Sequence, residues 1–109
     1  MMDEYCMIEI AFDDLEETKR TIRALLDEKL VSSCQMIESQ STWLWHQEIE
    51  AAKEYLVFVK TKKNLSTKIY NLVRKYHSYE TFEFAIMPIT STSRNYLAWI
   101  NNEVRGKEY

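Results

Sequence analysis

Glycine and proline are almost missing from this chain: Gly106 and Pro88 are its single examples in 109 residues. A Gly-rich phosphate-binding loop is thereby excluded, as are collagen-like and low-complexity architectures. Cysteine is equally sparse. Cys6 and Cys34 stand far apart, without C-x-x-C spacing or a nearby His pair. That excludes a disulfide-stapled scaffold and reads as two reduced, buried thiols. No apolar run exceeds the five residues Tyr55-Leu56-Val57-Phe58-Val59, far short of the ~20 that a transmembrane helix needs. A basic excess is absent too. Fourteen Lys and Arg face 17 Asp and Glu, a net charge of −3, which argues against a phosphate-neutralising nucleic-acid interface. The start Met1-Met2-Asp3-Glu4 is acidic and carries no hydrophobic segment, so no secretory signal is expected and the cytoplasm is the expected location.

The composition that remains, 46% apolar and 28% charged, is that of one globular domain, 1–109. Tyr5 to Phe12 alternates, with Cys6, Ile8, Ile10 and Phe12 on one side, and predicts a strand. Asp14 followed by Glu17 predicts a helix start, and Leu15, Ile22, Leu25, Leu26 and Leu30 form its apolar stripe. A second strand is expected over 32–37, continuing after an irregular stretch through 41–46. Tyr55-Leu56-Val57-Phe58-Val59 is apolar at every position, so both faces of this third strand should be covered. Asn64 is the expected cap of a helix carrying Leu65, Ile69, Leu72, Val73 and Tyr76. A fourth strand is expected over 82–88, and Ser93 should cap a last helix carrying Tyr96, Leu97, Ile100 and Val104.

Strand, helix, strand, strand, helix, strand, helix is the split β-α-β order of an α+β, ferredoxin-like domain. It has a four-stranded antiparallel sheet, two helices on one face and a short carboxy-terminal helix. Such a domain leaves one sheet face bare. A third strand apolar on both sides, with Trp43, Leu44 and Trp45 extending the second, therefore predicts an oligomer, with Trp43, Trp45, Tyr55 and Val57 at the subunit interface. An RNA-recognition motif shares the topology, but strand one lacks a stacking aromatic and the net charge has the wrong sign.

Chemistry-bearing residues are few. His77, with Glu80 and Glu83 close in sequence, could anchor a turn, line a ligand cleft or contribute to a nitrogen-and-oxygen metal site. Lys60 ends the apolar strand and needs a partner, for which Glu54 and Glu83 are the candidates, within the subunit or across a subunit boundary. Tyr79, Trp45 and Trp99 read as core or interface aromatics, and the five methionines as core filler. Neither His sits in a recognisable nucleophile–base arrangement, so no enzymatic activity is expected.

Glu28-Lys29-Leu30, Ser41-x-Trp43-x-Trp45, Glu54, Lys60-Thr61, His77-x-Tyr79-Glu80-x-x-Glu83, Pro88 and Tyr96-Leu97-x-Trp99 follow one another in an order that resembles the CutA family of divalent-cation tolerance proteins. The likeness runs from about Ile8 to Val104. It implies a tight homotrimer of ferredoxin-like subunits joined by a long hairpin of strands two and three. It is also similar in architecture to the trimeric PII signalling proteins, which bind small ligands at subunit clefts. The resemblance implies a non-enzymatic binding or sensing role, with a divalent cation (Cu or Zn) or a small metabolite as ligand and neither nucleic acid nor membrane as partner. A structural scaffold for a partner protein is the alternative. The implied cleft is formed by Lys60, His77, Tyr79, Glu83 and Glu54, with His77 as the metal candidate. The chain departs from the family pattern at several positions. Ile10-Ala11 stands where a Cys is usual and Tyr76-His77 replaces a His pair, the two positions associated with copper; Ser33 stands where a second Cys is usual, with Cys34 one residue later. Ser78 and Phe82 replace two prolines, and Trp45-His46-Gln47 replaces a Trp-x-Gly turn.

Overall fold

A computed structural model describes residues 4–106; the acidic start Met1-Met2-Asp3 lies outside the described residues. In chain order the elements are β1 (Tyr5–Phe12), α1 (Leu15–Asp27), β2 (Ser33–Trp45), β3 (Glu48–Lys62), a 3₁₀ turn (Lys63–Leu65), α2 (Ser66–Tyr76), β4 (Phe84–Pro88) and α3 (Arg94–Glu103). The four strands form one antiparallel sheet in the order β2-β3-β1-β4, the split β-α-β topology expected from the element order.

The alternation of β1 explains where the core lies. Cys6, Ile8, Ile10 and Phe12 are fully buried. Ile8 stands opposite Val59, and Ile10 opposite Val57. Leu25 from α1, Ile69 and Val73 from α2, and Ile100 and Val104 at α3 join the same cluster. Each such side chain contributes about 1.5–3 kcal/mol by leaving water. The helix starts follow local chemistry. The Glu17 amide donates to Asp14 Oδ2 at 2.8 Å, and the Tyr96 amide donates to Ser93 Oγ at 3.3 Å. Asn64 is not a cap: it lies in the 3₁₀ turn, and α2 begins after Leu65 without a side-chain cap. Phe82 likewise precedes β4 rather than opening it.

The expected break in β2 does not occur. Every residue from Ser33 to Trp45 pairs with β3, from Ser33 opposite Lys60 to Trp45 opposite Glu48. An edge strand with solvent on one side tolerates Ser39, Gln40, Ser41 and Thr42, because the backbone ladder rather than side-chain burial holds them. The resulting hairpin gives the subunit its 49 Å long axis. Near its tip, Leu44 (73% exposed) and Ile49 (74%) face each other across the two strands.

Register also corrects the expected interface. Val57 is buried among its own subunit's core residues, and Tyr55 packs against that core. Neither belongs to the opposite face. That face carries Met7, Leu56, Phe58 and Met87, all half-buried, with Ile37 55% exposed. The third strand is apolar on both sides as read, but its outward pair is Leu56 and Phe58.

Candidate functional site: an acidic aromatic cleft beside the hairpin

The segment between α2 and β4 is held by two residues with different chemistry. His77 caps the end of α2 and turns its ring into the core, stacked between Phe12 (centroids 4.5 Å apart) and Phe82 (4.3 Å). Its Nε2 donates to the Ala11 carbonyl at 2.6 Å, and its Nδ1 accepts from the Tyr79 amide at 3.1 Å. These partners assign the neutral Nε2–H tautomer. Glu17 Oε2 is 3.8 Å from Nδ1, beyond hydrogen-bonding distance. With both nitrogens occupied, His77 has no lone pair to offer a metal and no face toward a ligand.

Arg74, in the last turn of α2, is the second clamp. Its guanidinium donates to the carbonyls of Glu80 (2.6 Å), His77 (3.3 Å) and Tyr79, and lies over the Phe82 ring. The planar fork of Arg can reach several carbonyls at once. Sequence reasoning missed this residue; the one available signal was a basic residue at a helix end.

The clamped segment forms one wall of a cleft of about 850 Å³. Tyr79, Glu80, Thr81, Phe82 and Glu83 line this wall; Ala11 of β1 contributes the floor; Ser41, Thr42, Trp43, Trp45, Glu50 and Glu54 of the hairpin line the other side. Four carboxylates and four aromatic rings are present, and no Lys or Arg.

The electrostatics follow from that imbalance. Glu83 forms a side-chain hydrogen bond with Glu9, which with burial and the charges of Glu9 and Glu54 pushes its carboxyl up to about 7. Two carboxyl groups can hydrogen-bond only by sharing a proton. Burial, together with the nearby Asp13 carboxylate, pushes Tyr79 up to about 12. Glu54 is only 9% exposed and has neither an ion pair nor a hydrogen bond among the described residues.

Of the residues picked from sequence, the cleft thus brings together Glu54, Tyr79, Glu83, Trp43 and Trp45, and it excludes His77 and Lys60. Lys60 is not neutralised by Glu54 or Glu83 in the subunit; its Nζ donates to Gln35 Oε1 at 3.0 Å. The fully buried lysine is its neighbour Lys62, which donates to the Gly106 carbonyl at 2.9 Å. Soft-metal donors are not at hand either. Burial pushes the Cys6 thiol up to about 11 and the Cys34 thiol up to about 12, whereas a metal-binding sulfur is a thiolate. Among the described residues no three His, Cys, Asp or Glu side chains stand close enough to hold a metal ion. A copper or zinc site within one subunit does not fit these residues.

Comparison with known proteins identifies the lineage. Residues 6–103 match the family model of the CutA1 divalent ion tolerance protein. The divalent-cation tolerance protein CutA of Archaeoglobus fulgidus is 32% identical over 97 residues, covering 89% of this chain and 95% of the relative. A solved structure of the A. fulgidus protein superposes with a TM-score of 0.89 at 31% identity, covering 93% of this chain and 99% of that one. CutA1 from the psychrotrophic bacterium Shewanella sp. SIB1 superposes with a TM-score of 0.91 at 26% identity, covering 97% and 100%. These relatives overturn the cytoplasmic location read from the acidic start. The A. fulgidus protein is described as periplasmic. A chloroplastic CutA of Arabidopsis thaliana is 25% identical over 100 residues, 91% of this chain and 55% of the relative. An acidic start on this sequence does not fix a compartment in such a lineage. No helix among the described residues is long and apolar enough to cross a membrane. By the extent of the family match and the identity to its A. fulgidus relative, this chain belongs to the CutA1 divalent ion tolerance family.

Proposed function

We propose that this chain is a non-enzymatic cation-binding protein that works as a homotrimer, with the acidic cleft beside the hairpin as its ligand surface. One observation carries the reading: Glu54, nine-tenths buried and without an ion-pair or hydrogen-bond partner among the described residues, lines a cleft that holds three more carboxylates and no base. A mostly buried carboxylate that opens on such a cleft with no base beside it is a favourable seat for a positive charge. Glu83, pushed up to about 7, is poised near neutrality, but no Lys or Arg lines the cleft beside it to stabilise a developing negative charge. His77, behind the cleft wall, is committed at both nitrogens to backbone groups.

Assembly is supported by the half-buried Leu56 and Phe58 with the exposed Ile37 on the uncovered sheet face, and by the exposed Leu44 and Ile49 at the hairpin tip. Patches of this kind are covered in stable proteins. Trp43 and Trp45, which line the cleft, sit on the same hairpin, so the cleft lies at the subunit boundary.

Native mass spectrometry tests both parts. The expected mass is three times the 13.1 kDa chain. At least one class of added cation, inorganic or organic, should bind the wild type and fail to bind a Glu54→Gln, Glu83→Gln variant of unchanged mass state. A monomer would overturn the assembly. Cation binding that is indifferent to both substitutions, or no cation binding at all, would overturn the cleft.

A further inference from the structure

The cleft is far too large for a bare ion and matches the roughly 300–1,000 Å³ of small-molecule sites. Its carboxylates are not gathered as a metal shell. Glu50 and Glu54 come from β3, Glu80 and Glu83 from the opposite wall, and no three donors among the described residues converge on one point. Separated acceptors suit a ligand with separated positive charges. Between them stand Trp43, Trp45 and Tyr79, whose faces attract ammonium groups and whose area packs methylenes; the Phe82 ring is already covered by His77 and Arg74. Within one chain an anionic ligand would meet four like charges and no base, because Lys60 is outside the cleft and bonded to Gln35.

We infer that the cation this cleft takes is an alkyl polyamine, a short organic chain with two or more ammonium groups. Its ammonium groups would be seated on Glu54 and Glu83 and its methylenes against Trp43 and Trp45. The inference deepens the cation-binding reading above and rests on it. Ammonium groups donate directly to carboxylates, the stronger class of hydrogen bond. Glu54 is nine-tenths buried with no ion pair or hydrogen bond among the described residues, so most of its side chain is already out of water when the ligand arrives. Glu83 shares a proton with Glu9 while Glu54 and Tyr79 face the same space. An arriving ammonium therefore displaces that proton, and binding weakens as the solution becomes more acidic than about pH 7.

Isothermal titration of the assembled protein with 1,4-diaminobutane and spermidine tests the inference, with 1,4-butanediol as the uncharged match and Zn²⁺ and Mg²⁺ as bare ions. The amines should bind with proton release near neutrality, and the diol should not bind. Glu54→Gln and Trp45→Ala should each weaken amine binding by about tenfold or more, the loss expected for a charged hydrogen bond or a stacking face. Glu54→Asp keeps the charge and serves if Glu54→Gln disturbs assembly; it should weaken binding less. Metal binding lost with Glu54→Gln while no amine binds would overturn the polyamine and leave the cation cleft standing. Absence of any cation binding would overturn both. Equal binding of diamine and diol would overturn the role of charge.

Discussion

The imidazole of His77 donates from Nε2 to the carbonyl of Ala11, 2.6 Å away, while its Nδ1 receives the amide of Tyr79. One side chain thereby joins the end of β1 to the wall of the cleft, between Phe12 and Phe82. His77→Phe keeps the volume and the stacking but leaves the Ala11 carbonyl and the Tyr79 amide without a partner. Each orphaned group costs about 1–3 kcal/mol. The urea midpoint should fall accordingly, read at fixed protein concentration because the proposed assembly would make stability concentration-dependent. Metal titrations should not change, since neither ring nitrogen is free. A variant as stable as the wild type that loses metal binding would reverse this assignment.

Arg74 holds the same wall by its backbone. Its guanidinium spans the carbonyls of His77, Tyr79 and Glu80. Arg74→Lys keeps the charge but not the fork, so at most one of these bonds survives at full strength. The expected loss is about 1–2 kcal/mol. Amide exchange should accelerate across 77–83 and stay slow at Ile69 and Val73 in the body of α2, which are buried. Uniform acceleration would mean that Arg74 supports the helix and not the wall.

Glu83 sets the pH response. Its folded pKa is raised from 4.5 to about 7 by Glu9, burial and Glu54, so between those values the folded state holds a proton that the unfolded state has released. Stability should therefore fall as pH rises from about 4.5 to about 7 and level off above. Glu83→Gln should flatten this slope. Denaturation midpoints at pH 5 and pH 7.5, compared between wild type and variant, check it. An unchanged slope would place the shared proton elsewhere.

The framework was legible because it rests on periodicity. Cys6, Ile8, Ile10 and Phe12 alternate, and Asp14 and Ser93 cap helices through their own side chains. Residues whose role depends on partners far along the chain were not legible. His77 was readable as a metal ligand until Ala11, sixty-six positions earlier, appeared at its Nε2. Tyr55 and Val57 looked like interface because a run apolar at every position does not say which residues face the helices; pairing with Ile10 and Phe12 settles it. The cleft was half legible. Glu54, Tyr79 and Glu83 were picked from their order, whereas Glu9 and Glu50 carried no local signal and converge on them only through the sheet register and the hairpin.

The two cysteines give a separate check on soft-metal chemistry. Cys6 is fully buried and Cys34 half-buried, both unpaired, with thiols pushed up to about 11 and about 12. At pH 7.5 almost no thiolate is present, so iodoacetamide should leave both intact in the native protein and modify both in urea. Cys6→Ser and Cys34→Ser should leave any copper affinity unchanged. Rapid native alkylation of Cys34, or copper affinity lost with either variant, would return sulfur to the list of ligands.

Scarcity of glycine leaves its own mark on the backbone. Lys29 (φ 55°), His46 (φ 50°) and Gln47 (φ 72°) occupy the left-handed region where glycine is the unstrained choice. Lys29 ends α1: its amide bonds the Leu26 carbonyl at 3.0 Å, and the next amide, of Leu30, bonds Leu25 at 3.1 Å. That is the Schellman arrangement, in which glycine is usual. His46 and Gln47 are the two turn residues between Trp45 and Glu48, which pair directly. Positive φ at both defines the type I′ turn, for which Asn-Gly is the preferred sequence. Lys29→Gly and Gln47→Gly should each stabilise the protein by about 0.5–1 kcal/mol, because relief of left-handed strain exceeds the extra freedom of glycine in the unfolded chain. Glu48→Gly, one residue on and inside β3, should destabilise instead. The contrast is read as denaturation midpoints of three single variants. If Gln47→Gly and Glu48→Gly shift the midpoint in the same direction, the strain attributed to the turn is not stored there, and the hairpin tip is held by the assembly and not by its own backbone.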